Sequence, residues 1–343
     1  MDFTITPTEH KFTSTGIKFW RHQEAMESYR AGTGRSVIST HISPEGACNL
    51  KCPYCSVTYR DTHQRIALPV IHEYVHDLQS RGLKAVILTG GGEPTIYPKF
   101  NELVQWLHWH GLKVALITNG TQAKRVEAKT WACFTWVRIS LNVFDGWEEK
   151  IRIPTDQLSP DCTVGCSMVY TPEHRLDTLQ KASAVATANQ AQYVRVLPNC
   201  LLEQEKLIAQ HEALDRDFAS IGDARFFQQH KLHGAPGCGT CHQSYFRPYL
   251  SEVISTESGE PGTVYPCDSV VLNGQAMHFP ELFQLCPASK VLDYMDKKLP
   301  HKFDPRKNCT GCVFTKNVDM LDDYARTGEG QFNSEPLKHE DFV

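Results

Sequence analysis

The sequence predicts an α/β protein in which a partial (β/α)6 TIM-like barrel is followed by a small cysteine-rich C-terminal module. Short β-branched runs alternate with helical segments of about 10–15 residues, a pattern typical of parallel βαβ units. About six such units fit before residue 220, fewer than the eight of a closed barrel. Six of the 13 cysteines then fall between residues 238 and 312, in a passage rich in loops.

The elements are predicted from the spacing of apolar residues and from the residues that end each element, since strands end at polar turns and helices end near glycines. In chain order, the strands are predicted at 36–42, 85–89, 114–118, 136–143, 163–170 and 193–197. Helices are predicted at 69–81, 100–110, 122–131 and 172–189.

Four regions are expected. Residues 1–35 are polar and are predicted to form an irregular extension packed on the main domain. Residues 36–225 form the partial barrel, and residues 226–320 form the cysteine-rich module. Residues 321–343 are a polar tail, predicted to be flexible or draped over the surface.

The composition of the 343 residues is that of an ordinary globular protein, with 41% hydrophobic and 22% charged residues. A net charge of −4 gives no support for broad nucleic-acid binding. The chain lacks the apolar run of about 18 residues that a membrane helix needs, and no secretory signal is apparent. We therefore expect a cytoplasmic protein with no membrane or nucleic-acid partner, whose cysteines serve metal or redox chemistry.

Three cysteines, Cys48, Cys52 and Cys55, follow the first predicted strand with the spacing C-x3-C-x2-C. One loop with this spacing can wrap one inorganic cluster, and four thiolates normally hold a [4Fe–4S] cube. Three thiols leave one iron open to a substrate or cofactor. The alternatives are a chance cluster of cysteines or half of a zinc site.

A glycine-rich turn, 90–94, follows the second predicted strand and reads Gly-Gly-Gly-Glu-Pro. Glycines let a backbone approach a ligand closely, and the carboxyl ends of barrel strands carry the site. On its own the motif is more often an ordinary turn.

Together, the cysteine loop, with Tyr54 before its last cysteine, and the glycine-rich turn resemble the radical S-adenosylmethionine (radical SAM) superfamily over residues 36–220. The resemblance implies that the open iron binds S-adenosylmethionine and that its reductive cleavage yields a 5′-deoxyadenosyl radical. It implies cofactor-binding roles for a set of residues along the strand ends: Tyr54, Gly91, Gly92, Glu93, Pro94, Asn119, Ser140 and Asn142. Glu93 and the turn backbone would hold the amino group. For the last three residues, ordinary turn chemistry is the alternative.

The C-terminal cysteines resemble the Twitch half of a SPASM-type extension, which implies an auxiliary [4Fe–4S] cluster. Its expected ligands are four thiols: Cys241, Cys267, Cys309 and Cys312. Cys238 is an alternative to Cys241, and Cys286 is a further candidate ligand. A structural zinc site with four thiolates is the competing interpretation.

Several other motifs have simpler explanations. His72, Glu73 and His76 match the H-E-x-x-H pattern of zinc peptidases, but no third-ligand signature follows, so a chance match is favoured. Cys200 either packs in the core, which is favoured, or donates a hydrogen atom to a substrate radical. Arg195 pairs either a substrate anion or a barrel carboxylate. The remaining thiols are expected to be buried small apolar residues: Cys133, Cys162 and Cys166.

The expected function is that of a radical SAM enzyme that oxidises, dehydrogenates or cross-links a small molecule or peptide. An epimerase is the alternative within that class, and a non-catalytic zinc or iron–sulfur module is the alternative outside it. An electron donor such as flavodoxin or ferredoxin is the expected protein partner.

Overall fold

The computed structural model describes residues 5–141, 151–170, 176–273 and 280–343, and its strands form one ten-stranded sheet. The strands are β1 (Ser39–Ile42), β2 (Ala85–Leu88), β3 (Lys113–Thr118), β4 (Phe134–Ser140), β5 (Thr163–Tyr170), β6 (Tyr193–Pro198), β7 (Phe226–Gln228), β8 (Tyr249–Ile254), β9 (Pro261–Tyr265) and β10 (Cys286–Pro287). The helices are α1 (Pro7–Phe12), α2 (Gln23–Ala31), α3 (Leu68–Ser80), α4 (Phe100–Trp109), α5 (Ala128–Trp131), α6 (Leu176–Ala188), α7 (Gln204–Ile221), α8 (Val291–Met295), α9 (Pro305–Asn308) and α10 (Thr315–Thr327).

Strands β1 to β7 lie side by side in chain order, and every pair among them is parallel. Helices α3, α4, α5, α6 and α7 lie in the connections between them, as βαβ units require. The predicted α/β fold class with a parallel, TIM-like partial barrel is confirmed. The six predicted strands are all present, and β7 adds a seventh that was not predicted.

Helix α3 shows why the sequence folds as predicted here. Ile71, Tyr74, Val75 and Leu78 recur every three or four residues and are completely buried, so one face of the helix packs on the sheet. Burying each such side chain contributes about 1.5–3 kcal/mol relative to leaving it exposed. Pro69 lies in the first turn, where its missing N–H removes no helical hydrogen bond.

The cysteine-rich region is part of the same sheet. Strand β8 pairs in parallel with β1, with His41 opposite Tyr249, and β9 and β10 continue the sheet in antiparallel fashion. Strand β7, at the start of the region assigned to the module, pairs with β6 of the barrel. The boundary at residue 226 stays a prediction, but the two regions share one continuous hydrogen-bonded sheet.

The N-terminal extension is helical rather than irregular, so that prediction was wrong. It contains α1, α2 and a 3-10 helix at Gly16–Arg21. Phe19 is 1% exposed, and Trp20 packs edge-to-face on Tyr324 of α10. The sequence pattern was too short for helical periodicity to be visible, and packing against α10 supplies the stability that these short segments lack.

The last residues of the tail are also not draped over the surface, which corrects a second prediction. Phe342 and Val343 are 2% and 1% exposed. Phe342 packs on Trp136, with ring centroids 5.4 Å apart, in an apolar cluster with Ala85, Ile87 and Ala115 of the barrel strands. The buried ammonium group of Lys18 donates to the carbonyls of His339 (3.0 Å) and Phe342 (3.1 Å). The tail therefore fills part of the barrel interior.

Among the helices that the structure describes, none combines the length and apolarity needed to cross a bilayer.

Phe342→Ala should lower the free energy of unfolding by about 3–5 kcal/mol, because it removes a buried ring and leaves a cavity beside Trp136. Urea unfolding followed by circular dichroism measures this. The matched control is Trp109→Ala, which removes an aromatic side chain that is 75% exposed and should change stability by less than about 0.5 kcal/mol. Equal effects of the two substitutions would contradict the packing role of Phe342.

Candidate functional site

The three cysteines of the loop after β1 lie together with the glycine-rich turn at one cavity of about 260 Å³. Cys48, Cys52 and Cys55 are each partly exposed. The Cys48 sulfur accepts from the Leu50 N–H at 3.5 Å, and the Cys55 sulfur accepts from Arg60 at 3.5 Å. The structure thus brings the three predicted ligands to one place, with N–H groups directed at two of the sulfurs.

The glycine-rich turn is held directly against the start of the cysteine loop. The Gly92 N–H donates to the Glu45 carbonyl at 2.9 Å, and the Glu93 N–H donates to the Ala47 carbonyl at 2.8 Å. A Cβ added at Gly92 would lie 2.0 Å from the Ala47 carbonyl oxygen, and one at Gly91 would lie 1.9 Å from a carboxylate oxygen of Glu252. Only glycine permits this approach, so the motif is required by packing as well as by ligand access.

Glu93 is buried, and its carboxylate links the turn to the end of β3. Its Oε1 accepts from the Thr118 hydroxyl (2.5 Å) and the Thr95 hydroxyl (2.6 Å), and its Oε2 accepts from the Asn119 N–H (2.8 Å). Burial raises the pKa of Glu93, and these hydrogen bonds oppose the rise. A contact between Glu93 and the amino group of S-adenosylmethionine stays a prediction. The Asn119 N–H already occupies one acceptor position of Oε2, so the contact would have to use the other.

The remaining predicted cofactor-binding residues are mostly gathered at the same cavity. Tyr54, Pro94, Asn119 and Ser140 line it. The Asn119 side chain donates to Asn49 at 2.9 Å, which ties the end of β3 to the cysteine loop. Asn142 lies outside the described residues.

A second cavity of about 290 Å³ occupies the barrel interior and meets the first. The residues that line both are Tyr54, Ser56, Ile117 and Val169. Cys200, expected to pack in the core, is instead only partly buried and lines this interior cavity. A ligand at the cysteine loop therefore adjoins a partly open space large enough for a second molecule.

The four thiols predicted for an auxiliary cluster also lie near one another. Burial, followed by the proximity of Cys312 and Cys309, raises the pKa of the Cys241 thiol. Burial, followed by the proximity of Cys241, raises that of Cys267. Thiolates brought together in this way need a compensating cation, which iron or zinc supplies.

The spacing of these thiols bears on which metal fits them. Zinc with four thiolates places the sulfurs about 3.8 Å apart, from a Zn–S distance of about 2.3 Å in a tetrahedron. In the part of the chain that the structure describes, the metal-ligating group with all ligand atoms within 4.8 Å of one another is Cys238, His242 and Asp322. In that part of the chain no three of the four predicted thiols form such a group, and both the iron–sulfur and the zinc interpretation stay predictions.

The two alternative auxiliary ligands are in different positions. Cys238 is close enough to Cys309 to contribute to the raised pKa of that thiol, so it stays an alternative to Cys241. Cys286 lies in β10 opposite Val264, and the charged groups that influence its pKa are Glu257, Asp293 and nearby lysines rather than other thiols.

The zinc-peptidase pattern on α3 is not assembled into a site. His72 stacks on Trp106, with ring centroids 4.0 Å apart, whereas Glu73 and His76 are exposed. Cys133, Cys162 and Cys166 are buried, as expected.

Sequence reasoning missed Arg60 beside the cysteine loop and Arg138 in the interior cavity. Arg60 contacts the Cys55 sulfur and also donates to the Gly46 carbonyl at 2.7 Å, but its position five residues after Cys55 carries no pattern that would reveal this. Arg138 lines the interior cavity. Arg138 could have been predicted from the sequence, because it lies two residues before Ser140 on β4 and alternate residues of a strand share a face.

Residues 42–189 match the sequence model of the radical SAM superfamily. The 7-carboxy-7-deazaguanine synthase of Haemophilus influenzae is 40% identical over 100 residues, which cover 29% of this chain and 44% of that protein. The S-adenosylmethionine-dependent nucleotide dehydratase of Selenomonas ruminantium is 29% identical over 108 residues, covering 31% of this chain and 38% of that protein. The chain thus spans about two fifths of the length of these relatives.

Among solved structures, Streptococcus suis SuiB bound to precursor peptide SuiA has a TM-score of 0.50 at 14% sequence identity. The match covers 70% of this chain and 61% of that chain. At this identity the similarity concerns the fold alone.

A three-thiol loop at the carboxyl end of a parallel partial barrel defines a class of proteins that hold an iron–sulfur cluster with one open position. Within that class, residues 42–189 are a radical SAM domain, which confirms the resemblance found in the sequence. Proteins of this family bind a [4Fe–4S] cluster and S-adenosylmethionine. The residues present fit both, because three thiols line one cavity together with the glycine-rich turn, which packs so closely on Ala47 that Gly92 has no room for a Cβ.

Gly92→Ala should weaken S-adenosylmethionine binding about tenfold or more, because the added methyl group pushes the turn away from Ala47 and overpacking of this kind costs about 1–3 kcal/mol. Equilibrium dialysis of the reconstituted protein measures the affinity. Gly237→Ala is the matched control, since its nearest neighbour would lie 3.6 Å away. Unchanged affinity in Gly92→Ala would contradict this role of the glycine-rich turn.

Proposed function

We propose that this protein is a radical SAM enzyme that abstracts a hydrogen atom from a substrate held inside the barrel. The observation that carries the proposal is the junction of the two cavities. The cysteine-lined cavity and the interior cavity share Tyr54, Ser56, Ile117 and Val169. Hydrogen abstraction needs the reacting atoms in contact, and this junction provides a place for it.

When bound, the cluster and S-adenosylmethionine supply a 5′-deoxyadenosyl radical. Cys48, Cys52 and Cys55 would hold the cluster. Arg60 directs an N–H group at the Cys55 sulfur, and hydrogen bonds to sulfur are one of the means by which a protein tunes a cluster. Glu93 acts as a positioning residue, since its carboxylate fixes the glycine-rich turn against β3.

For the outcome of the reaction, we propose oxidation of the substrate by dehydrogenation or cross-linking. The thiols Cys241, Cys267, Cys309 and Cys312 would hold an auxiliary [4Fe–4S] cluster that accepts the electron left on the substrate. Cys241 and Cys267 flank the β8–β9 hairpin, which pairs with β1 directly before the cysteine loop. An electron donor such as flavodoxin or ferredoxin would reduce the catalytic cluster.

The substrate is a small molecule or a peptide. The nucleotide dehydratase and GTP 3′,8-cyclase relatives are named for small-molecule substrates, whereas the SuiB structure contains a precursor peptide. The interior cavity, at about 290 Å³, has room for a small metabolite or one peptide side chain.

Epimerisation is a second candidate, favoured by the position of Cys200 at the interior cavity. In that reaction the substrate hydrogen leaves with 5′-deoxyadenosine, and the Cys200 thiol returns a hydrogen atom to the opposite face. The resulting thiyl radical takes an electron from the low-potential donor and a proton from solvent.

Cys48→Ala should abolish formation of 5′-deoxyadenosine from S-adenosylmethionine under reducing conditions, because the catalytic cluster loses one of its three ligands. The wild-type protein should contain about eight irons and eight sulfides after anaerobic reconstitution, and Cys48→Ala and Cys309→Ala should each retain about four. Cys133→Ala is the matched control and should keep all of them. A colourless, zinc-loaded wild-type protein without 5′-deoxyadenosine formation would instead support the non-catalytic module.

Cys200→Ser separates the two reaction outcomes. In an epimerase it should stop deuterium transfer from D₂O into the product and leave S-adenosylmethionine cleavage intact, because the donor S–H exchanges with solvent. In an oxidation the variant should leave the product mass unchanged at two hydrogens below the substrate. Mass spectrometry of the product reads both cases.

A further inference from the structure

The wall of the interior cavity carries a concentration of positive charge. Arg138 comes from β4, Arg195 from β6, Lys231 from the segment after β7, and Arg247 from the segment before β8. The four residues belong to different parts of the sheet, and the pairing of its strands brings them to one cavity. We call them the cationic cluster.

One acid offsets only part of the charge of the cationic cluster. Among the described residues that line the cavity, Asp268 is the one carboxylate. It pairs with Arg247 at 3.0 Å and lies 3.5 Å from His41, so its charge is already engaged. Arg138, Arg195 and Lys231 form no ion pair with a carboxylate in the described part of the chain.

Two of the guanidinium groups keep unused hydrogen-bond donors. The Nε atoms of Arg138 and Arg195 are buried and have no hydrogen-bond partner. Another nitrogen of Arg195 donates to the neutral side chain of Gln229 at 2.9 Å. The sequence suggested either a substrate anion or a barrel carboxylate as the partner of Arg195, and among the described residues no carboxylate pairs with it. A buried charged donor without a partner is costly, which indicates a missing acceptor.

Aromatic rings position three of the four cations at the cavity wall. Lys231 and Arg247 lie over the ring of Phe314, at 4.2 and 4.6 Å from its centroid, and Arg138 lies 5.3 Å from the ring of Trp136. Burial and the nearby charge of Arg138 lower the pKa of Arg195 to about 9, so the cluster is under mutual repulsion. An anion between the cations would relieve it.

We propose that the cationic cluster binds a phosphate or carboxylate group of the substrate, which is therefore an oxyanion-bearing small molecule. The inference rests on the proposed function, since it describes the molecule whose hydrogen is abstracted. The oxyanion would accept from the guanidinium groups of Arg138 and Arg195 and from the ammonium group of Lys231, which line the cavity. The uncharged part of the substrate would then extend to Tyr54 and Val169, where the two cavities meet.

The test is isothermal titration of the reconstituted full-length protein, saturated with S-adenosylmethionine. Inorganic pyrophosphate and GTP probe phosphate, citrate probes carboxylate, and guanosine is the uncharged control. At least one of the three oxyanions should bind while guanosine alone should not, and the one that binds identifies the group. Saturation with S-adenosylmethionine excludes a site that merely takes its carboxylate.

Arg195→Gln and Lys231→Gln should each raise the dissociation constant about tenfold or more, which is the effect of losing one charged hydrogen bond. Arg195→Lys keeps the charge and should retain most of the affinity, and circular dichroism of each variant verifies folding. The matched control is Arg326→Gln, an exposed arginine on α10 outside the cavity, which should bind as the wild type does.

Absence of binding by all three oxyanions, or equal affinity in Arg195→Gln, Lys231→Gln and Arg326→Gln, would overturn the inference. Formation of 5′-deoxyadenosine is measured on the same samples. Cleavage without oxyanion binding overturns only this inference, whereas oxyanion binding without cleavage overturns only the proposed function.

Discussion

The buried carboxylate of Glu93 is the interaction on which the site depends. It accepts hydrogen bonds from the turn after β2 and from the end of β3, while the adjoining N–H groups of Gly92 and Glu93 reach the loop after β1. Three consecutive strand ends are thereby fixed relative to the cysteines. Desolvation of a carboxylate is costly, and here it is offset by four hydrogen bonds from three residues.

Close packing at the glycine-rich turn also connects the cysteine-rich region to the barrel. Gly91 has no side chain because Glu252 of β8 occupies the space beside it. The barrel and the C-terminal region therefore meet at the turn of the radical SAM domain itself.

Much of the barrel could be predicted from the sequence because its signals are local. The periodic apolar face of helix α4 and the flanking turns of strand β5 can be read directly from the sequence. The three cysteines likewise lie within eight residues of one another. Strand β7 could not be found in this way, since its three residues are too few for a period to show. Lys231 and Arg247 were missed for a different reason. Nothing near them in the sequence marks them. Lys231 reaches the cavity because it follows β7, which pairs with β6, and Arg247 because it precedes β8, which pairs with β1 across about two hundred residues.

Among the described residues the sheet is open, and the lengths of its two edge strands bear on edge-to-edge association. The outer strands of the described sheet are β7, with three residues, and β10, with two. Unpaired strand edges are templates for pairing with another chain, and the hazard grows with the length of the exposed edge. Here an intruding strand would find only a few backbone groups in register. The two edges of the described sheet therefore offer few backbone groups to another chain.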